Sequence, residues 1–186
     1  MKDVQFMIPT AWTFLETRLQ EHPNEAREVD RYGYLPIHRV FFVSTSRDQE
    51  QNTREAPLSL IELLIEMHAD GLHFRDGIGN VALHHAAYHS CIDCFRAVLY
   101  NGNVEAPTTQ NIAGYTPLHF STSLYTGLAV FWELVSFNRE CVNVQNGRNE
   151  AAFQLLALVD GRDLSQQQVF CTHAKNILLK LAASKR

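Results

Sequence analysis

Three histidines that recur in a fixed local pattern constrain this chain more than any other feature. "DRYGYLPIHRV" begins at Asp30, "DGIGNVALHHA" at Asp76 and "NIAGYTPLHFS" at Asn111. Each has Gly at its fourth place and His at its ninth, giving Gly33 with His38, Gly79 with His84 and Gly114 with His119. His84 and His119 stand 35 residues apart. A further 35 lands on Gln154 in "NGRNEAAFQLL", a degenerate fourth copy that has lost both the Gly and the His. His38 and His84 are 46 apart, and the excess is a polar stretch, "STSRDQEQNTREA", over 44–56. Self-similarity at such a period predicts an array of small units, each burying its apolar face against its neighbours.

Local chemistry says what each repeated letter does. Gly33, Gly79 and Gly114 allow a left-handed turn that other residues resist. Thr116 is suited to cap a helix by accepting a backbone N–H. Pro117 then falls at the first helical position, where its missing N–H is harmless. Short first helices are predicted over 36–43, 82–89, 117–123 and 151–159. More apolar second helices follow. Leu60, Leu63, Leu64 and Met67 share a face in the first, with Gly71 as a stop. Cys94, Phe95, Val98 and Leu99 share one in the second, ending at Gly102. Val130, Phe131, Leu134 and Val135 do so in the third. A last helix is predicted over 165–183, with Ser165 as N-cap and a stripe of Val169, Ile177, Leu178 and Leu181. Lys175, Lys180 and Lys185 lie towards its C-terminus, where the helix dipole favours them.

In these motifs the chain resembles the ankyrin-repeat family, whose unit is a turn plus two helices with the signature T-P-L-H-x-A. The resemblance covers 30–183, and 13–29 looks like the second half of a preceding capping unit. It is strongest in the third copy, with Thr116, Pro117, Leu118 and His119. The second copy reads Val81-Ala82-Leu83-His84 and the first Leu35-Pro36-Ile37-His38. The fourth reads Ala151-Ala152-Phe153-Gln154, a divergence expected of an end repeat that faces solvent. The resemblance implies an all-α solenoid in one domain: a helical cap over 1–29, repeats over 30–75, 76–110 and 111–145, and a divergent repeat over 146–186. It implies that His38, His84 and His119 tether neighbouring loops. It also implies a non-enzymatic protein-binding module, an adaptor, inhibitor or effector, whose hairpin tips and first helices form a concave surface. The candidate contacts there are Arg31, Tyr32, Tyr34, Arg39, Arg75, Asn80, His85, Tyr88, His89, Tyr115 and Leu124. Tyr and Arg are the types that most often carry interface energy. Tyr34, Tyr88 and Tyr115 are expected to be exposed, and Phe42 and Phe120 to pack between helices. The insertion over 44–56 and a lengthened loop over 160–168 fall at equivalent places in their units, so both emerge on one edge.

Other chemistries are weaker. "HHAAYHSCIDC" offers His85, His89, Cys91 and Cys94 as a zinc or redox set. The alternative is that His84 is the tethering histidine and Cys94 a small core residue. No second paired motif supports a metal, so neither metal nor cofactor is expected. No orienting third group accompanies any Cys and His pair, and the glycines are single, so no nucleophile or phosphate loop is indicated. A purely structural segment of a larger scaffold remains the other alternative. The chain has 186 residues, a net charge of −4 and four scattered cysteines. Such a balance argues against broad nucleic-acid binding, and such cysteine usage suits a reducing intracellular setting. No apolar run spans a bilayer, and the N-terminus is too broken by polar residues and Pro9 for a signal peptide. The hydrophilic end "LAASKR" suggests a complete domain, and a monomer is expected.

Overall fold

The structure is a computed structural model and describes residues 4–42, 56–89, 92–122, 128–152, 154–155 and 176. Over these residues the chain is all-α. Its helices are α1 Val4–Glu21, α2 Pro36–Arg39, α3 Leu58–Met67, α4 Ala82–His89, α5 Ile92–Asn101, α6 Pro117–Ser121 and α7 Leu128–Phe137. Among the described residues no strand forms, and the only pairing of that kind is an isolated bridge between Gln145 and Ala151.

Helix α4 has the predicted bounds. Helix α2 is shorter than expected: Phe41 N–H bonds the His38 carbonyl at 3.3 Å, so the last turn tightens to a 310 bond. The N-terminal helix lies within the cap expected over 1–29 and reaches back to Val4, ahead of the second half read from residue 13. A 310 turn follows each long helix, over Pro23–Arg27, Ala69–Leu72, Ala106–Thr108 and Arg139–Asn143. Gly71 lies inside the second of these, so α3 ends four residues before the predicted stop. The predicted helix over 165–183, the insertion and the long C-terminal loop fall on residues outside those described, apart from Ala56 and the isolated position 176.

Packing follows the apolar stripes. Cys94, Phe95, Val98 and Leu99 on α5 are buried, as are Val130, Phe131, Leu134 and Val135 on α7. On α3 the stripe is rotated from expectation. Leu60, Ile61, Leu64 and Ile65 are buried, while Leu63 and Met67 pack half-buried at the core's edge. The rotation has a cause: α3 touches α1, α2 and α5, so more than one flank is covered. The first helices neighbour one another in the order α2, α4, α6, and α5 lies between α3 and α7. Each short helix also packs on the long helix that follows it. Fully burying a Phe or Leu stabilises by about 1.5–3 kcal/mol, so Phe95, Phe131, Leu99 and Leu134 dominate this core.

Four turns carry one set of bonds. The side-chain oxygen of Asp30 accepts the N–H groups of Tyr32 and Tyr34 at 2.8 and 3.0 Å. Asp76 takes those of Ile78 and Asn80, both at 2.9 Å. Asn111 takes those of Ala113 and Tyr115, and Asn146 those of Arg148 and Glu150, at 2.8–3.0 Å. Gly33, Gly79 and Gly114 have φ near +80°. Gly114 has a second reason to be glycine, because a Cβ there would lie 2.5 Å from the Gly147 nitrogen. The fourth copy, degenerate in its letters, keeps the geometry. Asn149 has φ 60°, which asparagine tolerates better than most residues. The turns are also sewn to each other. Ile112 N–H donates to the Ile78 carbonyl at 3.1 Å, and Gly147 N–H to that of Ala113 at 3.0 Å.

Candidate functional site

The repeated histidines are buried and hold fixed tautomers. Nδ1 of His38 accepts the Leu35 N–H, that of His84 the Val81 N–H and that of His119 the Thr116 N–H, each at 3.1 Å. Gln154 imitates them: its Oε1 accepts the Ala151 N–H at 2.6 Å. With Nδ1 accepting, the proton sits on Nε2, which donates outward. His84 reaches the Tyr115 carbonyl and His119 that of Glu150, both at 3.0 Å. His38 departs from the series and donates to Phe74 at 3.2 Å. Phe74 lies six residues short of Asn80, the place in its turn that matches Tyr115 and Glu150. Thr116 caps α6 in an unexpected sense, because its own N–H donates to His119 while its hydroxyl lies 2.8 Å from the same nitrogen. Burial pushes His38 and His84 down to about 4, with the neighbouring His85 adding to the effect on each. Burial also lowers His119.

The proposed contact residues divide into two groups. Asn80 and His85 belong to the frame: they are 1% and 5% exposed. Asn80 Oδ1 accepts from Asn111 Nδ2 at 2.9 Å, linking two turns. His85 Nε2 lies 2.7 Å from Asp76 Oδ2, and this carboxylate is closed to solvent. Burial raises the Asp76 pKa, but the bonds from His85, Asn80 and Ile78 outweigh it and hold the carboxyl below its ordinary value. Both candidates are thus buried and bonded within the frame. Arg75 is exposed, yet its guanidinium donates to the Gly79 carbonyl at 3.1 Å and the Gln110 carbonyl at 2.7 Å, bridging two turns. Gln110 repeats this bridge to Gly114 and Gln145, both at 2.8 Å.

The remaining described candidates meet at the surface in two aromatic groups. Around the first turn, the Arg39 guanidinium lies 4.5 Å from the Tyr34 ring centre and 5.3 Å from that of Tyr32. Arg31 lies 4.6 Å over Tyr32. Arg39 is also bound to Asp30 through Nε at 2.6 Å. Tyr34 meets Phe42 edge-on at 5.1 Å and His85 at 6.1 Å. The second group joins Tyr88 and Tyr115 through Phe120, at 6.1 and 6.3 Å between centres. Tyr34, Tyr88 and Tyr115 are half-buried rather than fully exposed, because each ring lies against another aromatic side chain. Tyr32 is the open one, at 57%. Phe42 and Phe120 are half-buried between these rings, in line with expectation.

The alternative metal set is not assembled among the described side chains. Cys94 is buried in the core with its thiol 3.7 Å from the Ala56 carbonyl, and His85 is bound to Asp76. The side chain of His89, and all of Cys91 and Leu124, lie outside the described residues. Among the described residues no group of three or more His, Cys, Asp or Glu side chains converges. None of their helices is long and apolar enough to cross a membrane.

Sequence reading missed the first residue of each turn. Asp30, Asp76, Asn111 and Asn146 were legible as an Asx recurring in register, a type that bonds its own backbone two residues on. Comparisons with family models and with curated proteins find no match for this chain.

Proposed function

We propose that this chain is an ankyrin-type solenoid and a non-enzymatic module that binds a partner protein or peptide through its hairpin tips and first helices. The observation that supports this most is the recurrence of one bond set in four successive turns, each with an Asx oxygen holding two N–H groups. Three buried histidines add to it: each bonds its own helix start, and His84 and His119 also reach the following unit. A frame so over-determined has little to reorganise on binding, so little ordering entropy opposes a complex. The surface it holds out is rich in Tyr and Arg, with Tyr32, Tyr34, Arg31 and Arg39 around the first turn and Tyr88 and Tyr115 further along. Arg39 carries its charge against Asp30, so this patch offers flat aromatic and guanidinium faces more than net charge. The proposed setting is intracellular and the proposed state a monomer.

The test replaces Tyr34, Tyr88 and Tyr115 by Ala together. Capture of partners from a cell lysate should be lost while thermal unfolding changes little. Retained capture overturns the concave assignment.

A further inference from the structure

A second feature adjoins that surface at the first turn. A groove of about 480 Å³ runs between α1 and the α2–α3 pair, a volume in the usual range of ligand sites, ~300–1,000 Å³. Its walls are apolar and include Trp12, Leu15, Leu19, Val29, Val40 and Leu60. Leu15 and Val29 are 39% and 47% exposed, so the walls face open solvent. Trp12 forms part of its wall, and its Nε1 is shielded from solvent with no hydrogen-bond partner among the described residues. It is the only buried side-chain nitrogen or oxygen among them in that state. A buried N–H without an acceptor is costly, and native chains rarely leave one so.

The rim sets the charge. Arg18 grips Glu25 with two bonds, at 2.6 and 2.8 Å, and Arg39 holds Asp30. Glu28 adds a third carboxylate, so two guanidiniums face three carboxylates and the rim carries one net negative charge.

We propose that this groove is a docking site for a peptide segment of a partner in which a large apolar side chain is followed by a basic residue. The apolar side chain fills the space against Leu15, Leu19 and Leu60. The segment's ammonium or guanidinium meets the excess carboxylate. A free fatty acid also offers an apolar body, but its negative charge is disfavoured at this rim. The site goes beyond the concave reading: it depends on α1 and shares only Tyr34 and Arg39 with that surface.

The experiment uses the full chain labelled with 15N. Trp12 and Trp132 are its two tryptophans, so two indole N–H signals appear, and Trp12→Phe assigns them. The probe is the peptide acetyl-Leu-Phe-Lys-amide, with acetyl-Leu-Phe-Glu-amide as the charge-reversed control. The Trp12 signal should shift saturably and the Trp132 signal should stay. The control should bind about threefold more weakly or worse. Leu15→Glu and Val29→Asp, both at half-open wall positions, should each abolish the shift without lowering Tm appreciably. Two substitutions guard against one failing to fold. A Trp12 signal that ignores the probe, equal binding of the two peptides, or binding that survives both wall variants overturns the proposal. Replacing Tyr88 and Tyr115, which do not line the groove, should leave the titration unchanged, so the concave reading and this one fail separately.

Discussion

His84 Nε2 lies 3.0 Å from the carbonyl oxygen of Tyr115, a residue of the following turn, while Nδ1 of the same ring holds the Val81 N–H of its own turn. One buried imidazole thus closes its own helix start and locks the next unit in place. Only a ring with one donor and one acceptor on opposite sides does both.

His84→Ala should therefore cost about 3 kcal/mol, because it strands a buried N–H and a buried carbonyl and leaves a cavity. His84→Gln should cost about half of that, since Gln154 makes the inner bond with its amide oxygen. Urea denaturation of both variants checks this. Equal losses would mean that the inner bond contributes nothing.

Acid should weaken the fold in a defined window. His38 and His84 titrate near 6.5 when unfolded and near 4 when folded, so between those values the unfolded chain binds more protons. Stability is then full above about pH 6.5 and falls as pH drops towards 4, by at most roughly 3 kcal/mol per histidine. Asp76 and Asp30 have lowered pKa values and lose their contribution only as pH falls through the carboxylate range. The loss between pH 6.5 and 5 thus belongs to the histidines. Denaturation midpoints across this range should shift, and His84→Gln should flatten the slope.

Gly114→Ala should destabilise by about 2 kcal/mol or more, since it meets both a left-handed φ and the Gly147 backbone. Asn149 offers the comparison. Its φ is also positive, so Asn149→Ala should cost about 1 kcal/mol and Asn149→Gly close to nothing. Thermal unfolding of the three variants distinguishes backbone strain from lost side-chain contacts.

Asp76→Asn should be tolerated far better than Asp76→Ala. Asn111 and Asn146 hold equivalent turns with an amide oxygen, so the two N–H bonds survive in the Asn variant and only the His85 partnership is weakened. A cost of about 1 kcal/mol is expected for Asn and about 3 kcal/mol for Ala. Similar losses would show that the His85 contact, not the turn, is what Asp76 is for.

Much of this was legible because it is local. Gly33, Gly79 and Gly114 announce left-handed turns, and the apolar spacing of α5 and α7 gave their buried faces correctly. The face of α3 was misjudged, since α1, α2 and α5 all cover it and no pattern within ten residues says so. The fourth turn was harder to see, because Asn149 and Gln154 keep by geometry what their letters had abandoned.

The sequence by itself determined the period, the helical character and the residues that punctuate each turn, because φ preference, capping and amphipathic spacing act over a few residues. Tertiary structure alone decided that Asn80 and His85 turn inward, that Arg75 bridges two turns and that His38 reaches Phe74 where its counterparts reach the last residue of the next turn. It also decided that α1 leaves an apolar groove and a buried indole N–H beside it. Those outcomes depend on which distant groups arrive beside a side chain, and on whether water is excluded when they do.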